Sequence, residues 1–288
     1  MKFNHLHRRF FAFGDLFAPS LVLSLSTLSW HKVVAFSLLT VSVVLAVLND
    51  IIDWSVLFFV ATIVFFIILK FNWKYNAWAK SIYEVGIVLS AIALSFHLWP
   101  GFHNPVVLNS VTVGPQSTPY TMYFNFDKAL VPFLLVLCTS SLFKKEVKSE
   151  VSLWKWGALS LSVPLILFLA VFFGGLKPEI HFPEWLPEFI LANLFFVSLA
   201  EESLFRGYIQ SRLSEVTSPL VALIVAALLF GFYHYSGGAL LVLFATLSGV
   251  VYGLSWMWSG RLWVATLFHF GLNLCHLLFF TYPFLKHN

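Results

Sequence analysis

The chain has 288 residues, of which 59% are apolar, 18% aromatic and only 10% charged, and its formal net charge is +4. A soluble domain averages about 25% charged residues, so the composition excludes a water-soluble globule and describes an integral membrane protein. The lysines and arginines flank apolar runs instead of forming a patch, which reads as topology and excludes a nucleic-acid partner. The two cysteines, Cys138 and Cys275, sit in separate apolar stretches with no disulfide or metal spacing, as small core residues do.

Lys2, Arg8 and Arg9 precede an apolar stretch as they would in a secretory signal. Asp15, Pro19 and the lack of a small-x-small cleavage site make this a retained cytoplasmic anchor instead. Residues 10–30, interrupted by Asp15, Pro19 and several serines, are expected to form an interfacial helix. Apolar runs follow near 34–48, 55–71, 81–99, 129–143, 156–174, 187–206, 219–235, 239–257 and 263–282. At about 20 residues per crossing they read as nine spans, some short. The expected fold is an all-α polytopic membrane helix bundle of about 8–10 transmembrane helices, with a polar active-site cavity among the C-terminal ones.

With residues 1–33 in the cytoplasm, 14 of the 17 lysines and arginines fall inside and only Lys128, Lys177 and Lys286 outside, as the positive-inside rule requires. All 11 tryptophans lie at or near a proposed span end, where an amphipathic ring sits best. The longest connection, Gly101 to Asp127, is expected to be an extracytoplasmic loop without chemistry. Asp50, Asp53, Glu84 and His97 read as interfacial polar groups. The Lys144–Glu150 turn divides the chain into residues 1–150, N-terminal transmembrane helices of unassigned role, and residues 151–288, a catalytic helical core.

Three segments of that core carry polar groups at helical spacing. Glu201 and Glu202 end the apolar run from Pro187 to Ala200, and an intramembrane carboxylate is a functional-site hypothesis by default. Arg206, four residues on, pairs with Glu202 on one face, which leaves Glu201 as the chemically available acid. In Phe230-Gly-Phe-Tyr-His234 the aromatic and the imidazole share a face. In His269-Phe-Gly-Leu-Asn273 so do the imidazole and the amide, and His276 continues that stripe. Polar faces on three helices must be satisfied, most simply by meeting around water. A carboxylate among imidazoles and an amide fits hydrolysis by activated water, with donors for a developing oxyanion. A Gly-x-Ser-x-Gly elbow and a His-Glu-x-x-His zinc helix are both absent. Glu201, His234 and His269 could also form a carboxylate-imidazole site for a divalent metal such as zinc.

These motifs, in this order on successive apolar segments, resemble the CAAX protease and bacteriocin-processing (CPBP, or Abi) family of intramembrane endopeptidases over roughly residues 187–282. The resemblance leaves open a divalent metal such as zinc and implies, on the glutamate-dependent reading, an endopeptidase that requires no cofactor. In it Glu201 and His234 activate water, His269 and Asn273 stabilise the oxyanion, Glu202 and Arg206 are structural, and Phe230 shapes the wall. It also implies a protein or peptide substrate in or at the lipid bilayer; the three-motif constellation is expected to cut near the cytoplasmic side, and the N-terminal positive charge and short loops are compatible with a bacterial inner membrane. Two other readings fit the residues: a proton-coupled transporter using the same groups as a relay, although no symmetry-related halves are evident, and a non-catalytic immunity or scaffolding factor whose polar groups only join helices. Counted from the cytoplasmic ends, His234 lies about 10 Å deeper than Glu201 and His269, which requires tilt, a kink at Gly231 or a late start after Pro219.

Overall fold

The computed structural model describes residues 16–72, 77–146 and 150–286. Lys2, Arg8, Arg9, the start of the 10–30 stretch, Trp73, Lys74 and Lys148 lie outside the described residues. The elements in chain order are α1 (Phe17–Thr27), α2 (Lys32–Leu48), α3 (Val56–Asn72), α4 (Ala77–Ser95), β1 (Val106–Val111), β2 (Tyr120–Tyr123), α5 (Phe126–Ala129), α6 (Val131–Cys138), α7 (Leu153–Phe172), α8 (Leu186–Leu191), α9 (Leu199–Glu202), α10 (Ser211–Val216), α11 (Pro219–Tyr233), α12 (Ala239–Ser259) and α13 (Leu262–Phe279). Two π-helical stretches, Ala192–Ser198 and Ser203–Gln210, join α8 to α9 and α9 to α10, so the backbone stays helical over residues 186–216.

Among the described residues four helical segments are long and apolar enough to cross a bilayer: Trp78–Ser95, Leu153–Phe172, Ala239–Ser259 and Leu262–Phe279. Phe17–Thr27, Lys32–Leu48, Val56–Phe71 and Pro219–Tyr233 are shorter apolar helices. Large apolar side chains point outward from them, among them Phe58, Phe65 and Phe71 on α3 and Leu161 and Phe168 on α7. Such surface is stable against hydrocarbon and not against water. The protein is a polytopic helical membrane protein.

The residues pack as two compact units. One is drawn from Met1–Pro105 and Phe124–Cys138, the other from Val106–Tyr123 and Thr139–Asn288. In the first, α1 runs antiparallel to α2, with Ser24 Oγ donating to the carbonyl of Ala35 and Ser42 Oγ to that of Phe17. The described part of the expected interfacial helix is thus an 11-residue element with Leu21 and Leu25 fully buried. At 1.5 Å per residue it reaches about 16 Å and serves as the short arm of a helical hairpin.

The span expected at 129–143 is the short pair α5 and α6. Helix α6 stops at Cys138, where the Thr139 hydroxyl accepts the Ser141 amide (3.3 Å) and bonds the Ser141 hydroxyl (2.9 Å), offering the backbone a turn instead of another helical bond. Two groups read from the sequence as interfacial are paired within this unit. His97 Nδ1 lies 2.7 Å from Oδ2 of the buried Asp127, whose other oxygen accepts Asn104 Nδ2, and Asp53 accepts His103 Nε2 at 2.8 Å.

Among the described residues, the second unit contains a two-stranded departure from an all-α architecture. Strands β1 and β2 form an irregular antiparallel hairpin with Val106 opposite Tyr123 and Val111 opposite Tyr120. The expected loop hides it because the β-prone residues are diluted by Asn109, Ser110, Gly114 and Pro115. Helix α11 opens with Ser218 accepting the Val221 amide and Pro219 at its first position, the residues such an end favours. Helix α12 closes on Gly260 in the left-handed conformation, a glycine role. Where α11 meets α12, a Cβ on Gly231 would stand 1.9 Å from Thr246 Oγ1 and 2.8 Å from the Val242 carbonyl. Glycine is what lets these backbones approach.

Candidate active site

Glu201 and Glu202 stand on α9, one turn of α-helix held between two π-helical stretches. Widened turns of this kind recur at functional sites. Both acids are buried, and charge in such a place must be paired. Glu202 Oε1 accepts Arg206 Nη1 at 3.0 Å, and the guanidinium also donates through Nη2 to the Gly249 carbonyl at 2.9 Å and lies 4.4 Å above the Phe230 ring. Neither Glu202 nor Arg206 has any exposed side-chain surface.

The same Glu202 oxygen accepts His269 Nδ1 at 2.8 Å. Glu202 therefore bridges the arginine and an imidazole from α13, a wider role than the simple Glu202–Arg206 pair read from the sequence. With Nδ1 committed as donor to a carboxylate, the ring of His269 turns Nε2 towards Glu201, 3.9 Å from Oε2. His234 lies just past the last residue of α11 and donates from Nδ1 to the Phe230 carbonyl at 2.9 Å. Its Nε2 also lies 3.9 Å from Glu201 Oε2. Two imidazole nitrogens thus converge on one carboxylate oxygen. Both separations exceed a direct hydrogen bond and suit one bridged by a water or a reacting group.

Phe230 is buried between the two imidazoles, with its ring centroid 4.8 Å from that of His234 and 5.6 Å from that of His269. Tyr252, on α12 and unmarked by the sequence analysis, stacks on His269 at 4.7 Å and an interplanar angle of 11°. Together these rings leave the His269 imidazole little freedom of rotation.

The fourth residue takes a different partner. Asn273 Nδ2 donates to Asn193 Oδ1 at 3.2 Å, and Ser198 Oγ donates to that same oxygen at 3.3 Å. Asn193 is buried on the first π-helical stretch. In the sequence it is one polar residue inside the run from Pro187 to Ala200. Its only signal there is an amide two helical turns before Glu201. His276, expected to continue the polar stripe, turns to the chain end: Nε2 lies 3.0 Å from the Thr281 carbonyl and the ring packs at 5.0 Å on Tyr282.

The expected depth mismatch disappears between Glu201 and His234. The helical path continues to Val216, five residues beyond the assumed end, so Glu201 lies 15 residues from that end. His234 lies 15 residues from Pro219. His269 is only 7 residues from Leu262 and 10 from Phe279, so the difference in depth persists for this residue, which stands nearer the Leu262 end of its helix.

Among the described residues no group of three or more His, Cys, Asp or Glu side chains is arranged to hold a metal ion. Tetrahedral zinc with bonds of 2.0–2.1 Å holds its ligand atoms about 3.3 Å apart. Glu201 Oε2 stands 3.9 Å from each imidazole nitrogen, wider than that ion requires.

Comparison with known proteins adds an independent line. The family model described as type II CAAX prenyl endopeptidase Rce1-like matches residues 183–275, a range that includes Asn193, all three motifs and Tyr252 but not His276. The chain is also similar to the uncharacterized protein YpbD of Bacillus subtilis (strain 168), with 30% identity over 145 residues that cover 44% of this chain and 73% of YpbD. No solved structure matches it. With the three motifs in order and this similarity extending over most of YpbD, the chain belongs to the type II CAAX prenyl endopeptidase Rce1-like family.

Proposed function

We propose that the protein is an intramembrane endopeptidase that hydrolyses a peptide bond of a membrane-associated protein or peptide with a water activated by Glu201. The observation that carries this reading is the convergence of His234 Nε2 and His269 Nε2 on Glu201 Oε2, each at 3.9 Å. Because both Nδ1 atoms are engaged as donors, both Nε2 atoms are left for the reaction.

In this mechanism Glu201 removes a proton from water while His234 Nε2 orients it, and the oxygen attacks the carbonyl carbon. Negative charge builds on the carbonyl oxygen, where Asn273 donates through Nδ2 and His269 donates through Nε2 with a proton on each ring nitrogen, its Nδ1–H being held by Glu202; these bonds strengthen towards the transition state. Breakdown of the tetrahedral intermediate breaks the C–N bond, and the proton held by Glu201 passes to the leaving nitrogen. The new carboxyl group gives up its remaining proton to the released amine, so the products are a carboxylate and an ammonium group, with no net change at the enzyme. Glu202 accepts the Nδ1–H of His269 and so aims its Nε2 at the reacting centre, Arg206 anchors Glu202 at 3.0 Å, and Phe230 and Tyr252 fix the ring planes. Side chains and water suffice for every step, so this mechanism requires no metal.

The test is hydrolysis of a peptide library by the purified full chain in detergent, with and without a strong chelator. Cleavage that survives chelation is expected. Cleavage abolished by the chelator and restored by zinc would replace the glutamate-only mechanism. Proton-coupled flux in liposomes without any peptide would replace the hydrolase reading altogether.

A further inference from the structure

Residues 139–288 carry their charge asymmetrically. Lys145 donates from its backbone to the Gly260 carbonyl and from Nζ to Ser214, and Lys144 bridges to Arg261. These contacts gather Lys144, Lys145, Arg212 and Arg261 around the end of α10, the start of α11, the end of α12 and the start of α13. Lys155, in the first turn of α7, adjoins the same basic connection. The opposite end carries the β1–β2 hairpin. There Glu179 accepts the Gln116 amide and the Ser117 hydroxyl, and the backbones of Thr118 and Lys286 pair with Phe284 and Gln116.

The 21 residues of α12 measure about 31 Å at 1.5 Å per residue, the thickness of a hydrocarbon core. Its two ends therefore mark the two faces of the membrane. Gly260 and Arg261 stand at the basic face. His234, the Tyr235–Gly237 turn and Gly238 stand at the other. His234 is also the accessible member of the site: its side chain is 26% exposed, against 4% for both Glu201 and His269. Tyr235 beside it is exposed.

We infer that the site opens at the face opposite the basic loops, which by the positive-inside rule is the extracytoplasmic one, and that the substrate is a polypeptide segment presented there, on an exported or membrane-anchored protein. This rests on the endopeptidase reading and gives it a side. A scissile bond reaching Glu201 passes His234 first, and the hairpin together with residues 175–185 forms the surface it meets. This differs from the cut near the cytoplasmic side expected from the sequence: His234 lies about 22 Å along α11 from Pro219, whereas His269 lies about 10 Å along α13 from Leu262.

The test uses the full chain with Cys138 and Cys275 replaced by alanine and one cysteine returned, Ser236→Cys at the His234 end or Ser152→Cys at the basic end. Both positions are exposed. In intact spheroplasts a membrane-impermeant maleimide is expected to label Ser236→Cys as fully as it does after lysis, and Ser152→Cys only after lysis. Tyr235→Cys gives a second probe should Ser236→Cys fail to accumulate. The reverse pattern would overturn the inference and place the substrate in the cytoplasm, where a prenylated C-terminus would be presented. Labelling is read without turnover, so a chain that labels as expected but cleaves no peptide in detergent counts against the endopeptidase reading alone.

Discussion

Glu202 Oε1 accepts two hydrogen bonds at once, from His269 Nδ1 at 2.8 Å and from Arg206 Nη1 at 3.0 Å. One buried oxygen thereby joins the ion pair that secures the helix to the imidazole that faces Glu201. Removing either charge leaves the other unpaired in a dry interior, which costs about 3–5 kcal/mol. Arg206→Ala and Glu202→Ala should each lower the unfolding midpoint in detergent, and the double variant should fall short of the sum of the two. Strict additivity would mean that the pair is not coupled.

Asn193 holds Asn273 by its amide nitrogen, so its influence on turnover should run through that residue. Asn273→Ala is expected to lower kcat by about 10²–10³, the usual cost of an oxyanion donor. Asn193→Ala should lower kcat by less and leave KM unchanged. Added to Asn273→Ala it should cost nothing further. A second, independent loss in the double variant would make Asn193 a packing residue.

Gly231 sits where α11 and α12 touch. Gly231→Ala places a methyl group against Thr246 Oγ1 and the Val242 carbonyl, and overpacking of this kind costs about 1–3 kcal/mol. A measured change within about 0.5 kcal/mol, normal for a surface site, would show that the two helices separate easily.

Glu179 lies outside the spans, beneath the hairpin. Burial raises its carboxyl, but hydrogen bonds from Ser117, the Gln116 amide and His181 outweigh burial and hold it below its ordinary value of 4.5. A depressed folded-state pKa gives stability that is present above the unfolded value and lost as pH falls through the folded one. Glu179→Gln should therefore be less stable than wild type near neutral pH, by about 1–3 kcal/mol, and the gap should close as the pH falls below 4.5 and through the lowered folded-state pKa. A gap that persists in acid would assign the loss to shape instead of charge.

Much of the candidate site was legible from charge in an apolar setting. Glu201, Glu202 and Arg206 declare themselves because hydrocarbon makes each ion costly, and the four-residue spacings within each motif tie their partners to one face. Asn193 and Tyr252 were not legible, since a neutral amide or phenol in a membrane helix has many innocent uses. His276 misled for the complementary reason: helical spacing places it on the polar stripe, but the chain end folds back and takes its Nε2. The apolar runs located most helices, whereas their ends followed local chemistry that hydropathy does not contain. The π-helical stretches extend the path around Glu201 to Val216, and the hydroxyls of Thr139 and Ser141 end α6 early.

The measurement closest to the central claim is turnover of a cleavable peptide by purified Glu201→Gln beside wild type, with unfolding midpoints recorded for both. The glutamine keeps the size and hydrogen-bonding reach of the side chain and removes its ability to take a proton. Cleavage should fall by at least about 10²–10⁴, the contribution of a general base, while the midpoint stays close to wild type. Undiminished cleavage by a folded Glu201→Gln protein would contradict the assignment of Glu201 as the group that activates water.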